Sequence, residues 1–190
     1  ECTYDVNGRM IREIQNFGDS SSAVTDYTYD SNGNLIKKVF TDFNDAIAVT
    51  DYSYDVNNRI LNEICTHPDN DKSTIDYTYN ADGDMTQKLV VHKNGATNIY
   101  DYANGKMVKS VYVSADGGNK ITYQYIYDTN GNLITQKYTF SNGKSTDNPT
   151  VVTDHYTYDA NGNLSKFNDI PLATVGNSAY VKLLSNRNPA

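Results

Sequence analysis

The sequence predicts an all-β chain, an antiparallel meander of about seven hairpins curled into a barrel-like roll. Three observations predict it. A Tyr-Asp-x-Asn-Gly-like segment recurs seven times, four of them in full, and the residues beside it alternate with the period of two of a strand. The composition, with 20 Asp, 24 Asn, 12 Gly and 17 Tyr against 3 Glu and no Trp, favours turns and pleated surfaces over helix. A repeat at such a period decides the fold, because each copy is one supersecondary unit laid against its neighbours.

The copies come in order. Tyr4-Asp5-Val6-Asn7-Gly8-Arg9-Met10-Ile11 is followed by Tyr29-Asp30-Ser31-Asn32-Gly33-Asn34-Leu35-Ile36 and Tyr54-Asp55-Val56-Asn57-Asn58-Arg59-Ile60-Leu61. Tyr79-Asn80-Ala81-Asp82-Gly83-Asp84-Met85 is the fourth, and Tyr102-Ala103-Asn104-Gly105-Lys106-Met107-Val108 a shortened fifth. Tyr127-Asp128-Thr129-Asn130-Gly131-Asn132-Leu133-Ile134 and Tyr158-Asp159-Ala160-Asn161-Gly162-Asn163-Leu164 complete the series. The turn-glycine position falls at 8, 33, 58, 83, 105, 131 and 162, with Asn58 as the one substitute. Asn is the residue that best replaces Gly where a backbone must be left-handed.

Each copy reads as a hairpin. An alternating run such as Asp26-Tyr27-Thr28-Tyr29 enters the turn. Asp first, Asn third and Gly fourth suit a type I turn closed by a left-handed glycine, in a three-residue loop. A two-residue loop on Asn32-Gly33 would shift the pairing by one. The three-residue loop sets Tyr29 opposite Leu35 and Tyr27 opposite Lys37; the shorter loop sets Asp30 opposite Leu35. The residue two after the glycine is apolar in every copy (Met10, Leu35, Ile60, Met85, Met107, Leu133, Leu164). Aromatic–aliphatic pairs stabilise a sheet by roughly 0.2–1 kcal/mol, which favours the longer loop. Tyr27, Tyr29, Leu35, Lys37 and Val39 then share the inner face, and Thr28, Asp30, Ile36 and Lys38 the outer. The Lys37 position is polar throughout (Arg12, Asn62, Gln87, Lys109, Thr135, Lys166). On that inner face it reads as a snorkelling or tyrosine-bonded position. A helix over Leu35–Phe40 fits the apolar spacing too, but the run is too short to hold.

Fourteen strands exceed what a flat sheet usually carries, so curling is expected, with the Tyr/Leu face inside. The whole of 1–190 reads as one domain, with repeats over about 1–167 and a capping segment or tail over 168–190. In that tail Ile170-Pro171-Leu172 and Ala179–Leu184 could cap an end or add a closing strand. The Asp-Asn-Gly turns at one end are near-identical. The connections at the other end vary: Asn16 to Ala23, His67 to Ser73, Asn94-Gly95, Asp116-Gly117-Gly118 and Asn142 to Pro149.

The net charge of −7 argues against nucleic acid as a partner, and no apolar run reaches the roughly 20 residues of a membrane helix. A membrane barrel would need an apolar outer band, whereas the presumed outer face carries Asp, Thr, Lys and Glu. Cys2 and Cys65 are too few for a disulfide scaffold, though one bridge between them is open. Asp159-Ala160-Asn161-Gly162-Asn163 has some likeness to a calcium loop but lacks the Gly and Glu positions of one, and a turn accounts for it. His67, His92 and His155 show no ligand spacing, and no acid/base pair or nucleophile triad is traceable. No catalytic, cofactor or metal residue is therefore assigned. Tyr27, Tyr52, Tyr77, Tyr125 and Tyr156, one per hairpin, form a row that fills a core or, in an open groove, stacks sugars.

Tyr-x-Tyr-Asp-x-x-Gly-(Arg/Asn)-Leu over Tyr4 to Phe167 resembles the YD repeat of bacterial RHS-type proteins. It resembles more closely a family of short secreted bacterial domains with YD-like repeats and a porin-like fold. The resemblance implies successive hairpins in one long sheet and an exported, periplasmic or cell-surface location, with lipid anchoring of a longer precursor as one route. The expected role is a non-enzymatic binding module of the envelope or exterior, taking a protein or glycan through its variable loops. A purely structural spacer or shell fragment is the alternative, and a hydrolase the least favoured reading.

Overall fold

The computed structural model describes residues 1–18, 21–143, 148–168 and 170–171. β1 (Cys2–Tyr4) and β2 (Met10–Phe17) form the first hairpin, β3 (Ser21–Tyr29) and β4 (Leu35–Thr41) the second, β5 (Ile47–Tyr54) and β6 (Ile60–Thr66) the third. β7 (Lys72–Tyr79) and β8 (Met85–Val91) form the fourth, β9 (Thr97–Ala103) and β10 (Lys106–Val113) the fifth. β11 (Asn119–Tyr127) with β12 (Leu133–Asn142), and β13 (Thr150–Tyr158) with β14 (Leu164–Phe167), complete seven; β15 (Ile170–Pro171) follows. Among the described residues there is no helix, and each strand pairs antiparallel with the next. Among the described residues the sheet is not closed: β1 and β15 stand at opposite edges, and a curled meander is compatible with this pairing. The closing strand expected from Ala179–Leu184 lies outside the described residues.

The turns are those that the sequence implies. In the second hairpin the Gly33 N–H donates to the Asp30 carbonyl (3.1 Å) and the Asp30 N–H to the Asn34 carbonyl (2.9 Å). Asp30 Oδ1 accepts the N–H groups of Asn32 and Asn34 (2.9 and 2.8 Å). Gly33 sits at φ 91° and Asn58, its counterpart in the third hairpin, at φ 60°, the left-handed region that turn closure requires. Tyr29 faces Leu35, as expected.

One residue later the register departs from expectation. Thr28 faces Lys37 and Tyr27 faces Lys38, because Ile36 is an extra residue, a second bulge. The same slip occurs in all seven hairpins. Since one inserted residue exchanges the faces beyond it, Lys37 and Val39 lie on the face opposite Tyr27 and Tyr29, and Lys38 and Phe40 join the tyrosines. This explains the polar position. In five of the seven copies it meets an aspartate of a neighbouring strand and neither snorkels nor bonds tyrosine. Arg12 Nε lies 2.6 Å from Asp26 and Lys37 Nζ 3.2 Å from Asp51. The Asn62 amide donates to Asp76 (2.5 Å) and the Gln87 amide to Asp101 (2.8 Å). Lys109 Nζ reaches Asp101 from the other side at 3.5 Å.

The Tyr face carries the second joint between hairpins. The ladder from β4 to β5 ends at Lys37 and Asp51. Beyond its end, the Leu35 carbonyl accepts the Tyr54 hydroxyl at 2.9 Å. Tyr29 donates likewise to Met10 (2.8 Å), Tyr79 to Ile60 (2.8 Å), Tyr127 to Met107 (2.9 Å) and Tyr158 to Leu133 (3.0 Å). A backbone carbonyl stranded beside a ring needs such a partner.

The enclosed core expected behind the tyrosines is not formed among the described residues. Buried apolar positions there are Ala23, Ala96 and Val111, and no large side chain is fully buried. Tyr27, Tyr52, Tyr77, Tyr125 and Tyr156 are half-buried. Among the described residues, substantial strand contacts run only between consecutive strands, and no second layer covers either face. Stability in such an array is a sum of hairpin and neighbour terms. We expect Tyr54→Phe to lower the unfolding free energy by about 1 kcal/mol in denaturant melts. Tyr102→Phe, at the one junction where no such bond forms, should change it far less.

Candidate functional site

The two ends of the sheet share a backbone and differ in chemistry. At the end opposite the Asp-Asn-Gly turns, three of the connections repeat the same closed turn. The Asp45 N–H donates to the Asp42 carbonyl (3.1 Å), that of Asn70 to His67 (2.9 Å) and that of Gly95 to His92 (2.8 Å). Asp45, Asn70 and Gly95 hold the left-handed position. The β10–β11 connection opens in the same way, Gly117 donating to Ser114 at 2.8 Å. Several of the variable connections expected here are thus tight turns. The centres of Asn16 to Ala23 and of Asn142 to Pro149 lie outside the described residues.

On that constant backbone the side chains change from turn to turn. The first turn residue is Asp42, His67, His92 or Ser114, and the second Phe43, Pro68, Lys93 or Ala115. Two patches result. Phe17 and Phe43 meet edge to face, 6.5 Å between ring centres, and both are exposed, as is Ile47. Further along, a cleft of about 650 Å³ is lined by His67, Asp71, Ser73, His92, Lys93 and Tyr112, among others. The two histidines, 25 apart in sequence, occupy equivalent turn positions, which brings together what seemed scattered. His67 Nε2 lies 3.1 Å from Ser73 Oγ. The Asn98 side-chain amide nitrogen lies 2.6 Å from His92 Nε2. Lys93 pairs with Asp69 of the previous turn and, by that bond first, holds the Asp69 carboxyl below its usual range. Among the described residues no three His, Cys, Asp or Glu side chains could hold one metal ion.

The other expected positions fall elsewhere. His155 stands on β13 beside Thr135 (3.4 Å). Cys2 and Cys65 are free thiols. Asp159 accepts the N–H groups of Asn161 and Asn163, both at 2.9 Å, as a turn residue does. The tyrosine row is bound into the sheet: Tyr27 and Tyr77 donate to Glu13 (3.4 Å) and Glu63 (2.6 Å), and Tyr156 to Gln136 (3.3 Å). Tyr123 and Tyr138, which the sequence reading passed over, pair at 5.2 Å. Their strand positions follow only once the bulge is placed. No helix among the described residues is long and apolar enough to cross a membrane. The chain matches no family model and no curated sequence.

The turn aspartates and the tyrosines fix the pH response. Asp5, Asp55, Asp128 and Asp159 are held below the ordinary carboxylate value of 3.8, first by the amide N–H four residues on; in Asp30 the Asn34 side-chain amide comes first. Their contribution to stability is complete above that value and is lost as pH falls below it. Burial raises Tyr52, Tyr54, Tyr77, Tyr79, Tyr125, Tyr127 and Tyr158 above 10.0. Their contribution is complete below 10.0 and is lost as pH climbs through the raised values. Circular dichroism should show loss of sheet at both extremes. Replacing the five aspartates with Asn, the residue already present as Asn80, should move the acid midpoint to lower pH; an unmoved midpoint would count against the turns as its origin.

Proposed function

We propose that the chain is a non-enzymatic, exported module of the YD-repeat kind, binding a protein or glycan through the end of the sheet that carries the His67, His92 and Tyr112 cleft. One observation carries this reading: the backbone of the two ends is alike, yet the first turn residue is Asp or Asn in six of the seven turns at one end and changes from turn to turn, Asp42, His67, His92 and Ser114, at the other. Turn closure needs an acceptor and a left-handed residue, not His beside Lys or an exposed Phe. Side-chain diversity on a constant frame is what recognition uses, as loops on rigid scaffolds do.

The carboxylates favour a non-catalytic role. A general acid needs a raised pKa, and the turn aspartates are moved the other way by their own turns. A structural spacer is the second reading, favoured by the nearest-neighbour build of the sheet. The acidic net charge speaks against nucleic acid here as well.

Glycan arrays and captures from envelope extracts, run with the chain and with a His92→Ala, Tyr112→Ala variant, separate the two. Specific capture that the variant loses at unchanged melting temperature is the expected outcome. A folded chain that captures nothing, or a variant that captures equally, supports the spacer.

A further inference from the structure

The hairpin junctions at the Asp-turn end contain a recurrent seat for a cation. Arg9 leaves the first hairpin with Nε and Nη2 each 2.7 Å from Asp5 Oδ2. Its guanidinium carbon lies 4.9 Å from the centre of the Tyr29 ring, in the second hairpin, and Nη1 donates to the Asp30 carbonyl at 3.4 Å. Arg59 repeats this from the third hairpin to the fourth, with Nε 2.6 Å from Asp55 Oδ2 and the carbon 4.7 Å from the Tyr79 ring. Lys106 makes the ring contact alone from the fifth to the sixth, its Nζ 5.2 Å from the Tyr127 ring, with Ala103 where the other copies have Asp5 and Asp55. Three junctions out of six thus place a cation on the face of the incoming tyrosine, where the ring quadrupole attracts it. A fourth, between the second and third hairpins, is bridged by the Asn34 amide donating to Asn58 (2.9 Å).

The junction between the sixth and seventh hairpins has the other parts of the seat. Tyr158 is fixed by its hydroxyl on Leu133 (3.0 Å), and Asp128 stands where Asp5 and Asp55 stand. The Asp159 carbonyl corresponds to that of Asp30. The residue in the position of Arg9 and Arg59 is Asn132, whose amide turns back to Asp128 Oδ2 at 3.0 Å inside its own turn. Among the described residues no Arg or Lys stands over the Tyr158 ring. A cavity of about 570 Å³ lies there, lined by Asp128, Asn132, Tyr158 and Asp159, among others.

We propose that this cavity binds a guanidinium group, the ligand being an arginine side chain presented by a partner protein. A flat ring, a carboxylate oxygen and a carbonyl match the planar fork of guanidinium, and two of the three internal occupants are Arg. The net charge of −7 draws a basic partner toward the surface. The site is on the opposite end of the sheet from the histidine cleft, so it stands or falls independently of the role proposed above.

The test titrates the isotopically labelled chain with acetyl-arginine amide and with the neutral, nearly isosteric acetyl-citrulline amide. Saturable shifts of the Gly131, Tyr158 and Gly162 resonances with the first probe alone, at millimolar concentration, are the expected result. Asn132→Arg should abolish them and raise the melting temperature, its own side chain taking the place that Arg9 and Arg59 take. Asp128→Asn, which keeps the turn, should weaken binding several-fold. No saturable response, an equal response to citrulline, or full binding by Asn132→Arg would overturn the proposal.

Discussion

The tyrosine hydroxyl that reaches back to a carbonyl of the preceding hairpin is the contact on which the rest depends. A meander of two-stranded units has two kinds of seam, one within each hairpin and one between hairpins. The inner seam is closed by the turn. The outer one ends short, at Lys37 and Asp51 in the second junction, and leaves the Leu35 carbonyl beyond the last ladder pair. Tyr54 satisfies that carbonyl and lays its ring along the seam. Five of the six junctions do the same, so the hairpins are fixed in angle as well as in register.

The bulge after each turn makes this arrangement compatible with a polar second face. Without the extra residue at Ile36, the Lys37 charge would stand among the tyrosines. With it, cations and amides pair with aspartates on one side while phenols and glutamates meet on the other. Where the extra residue bears a hydroxyl, it also bonds across the strand, as Thr86 does to Thr78 (3.2 Å) and Ser165 to Thr157 (3.0 Å). Exposed ion pairs of this kind are individually weak. Their value here is in register, since a one-residue slip would set Lys37 opposite Thr50 or Tyr52 and Arg12 opposite Thr25 or Tyr27, leaving the charges unpaired.

The turns, the strands and the Tyr29–Leu35 pairing were legible in the sequence because each is local, decided within about eight residues. The bulge was not, because its evidence lies between repeats. Arg12 opposite Asp26 and Lys37 opposite Asp51 are complementary pairs that only the shifted register brings face to face, and weighing those charges would have found it. The missing second layer was hidden for another reason. A half-buried tyrosine bonded through its hydroxyl has the same alternation in sequence as a buried one. The equivalence of His67 and His92 was open to view in their spacing of 25 residues, the period of the repeat itself. It was overlooked because they were weighed as metal ligands and not as turn positions.

A sheet whose described strands are joined only to their chain neighbours, with no layer among the described residues to cover, can change in size without redesign. Inserting or removing one unit alters its breadth by two strand spacings, about 9.6 Å, and leaves every remaining seam as it was. Copy number then acts as a ruler. A chain with more or fewer copies would carry the same seams across a different reach.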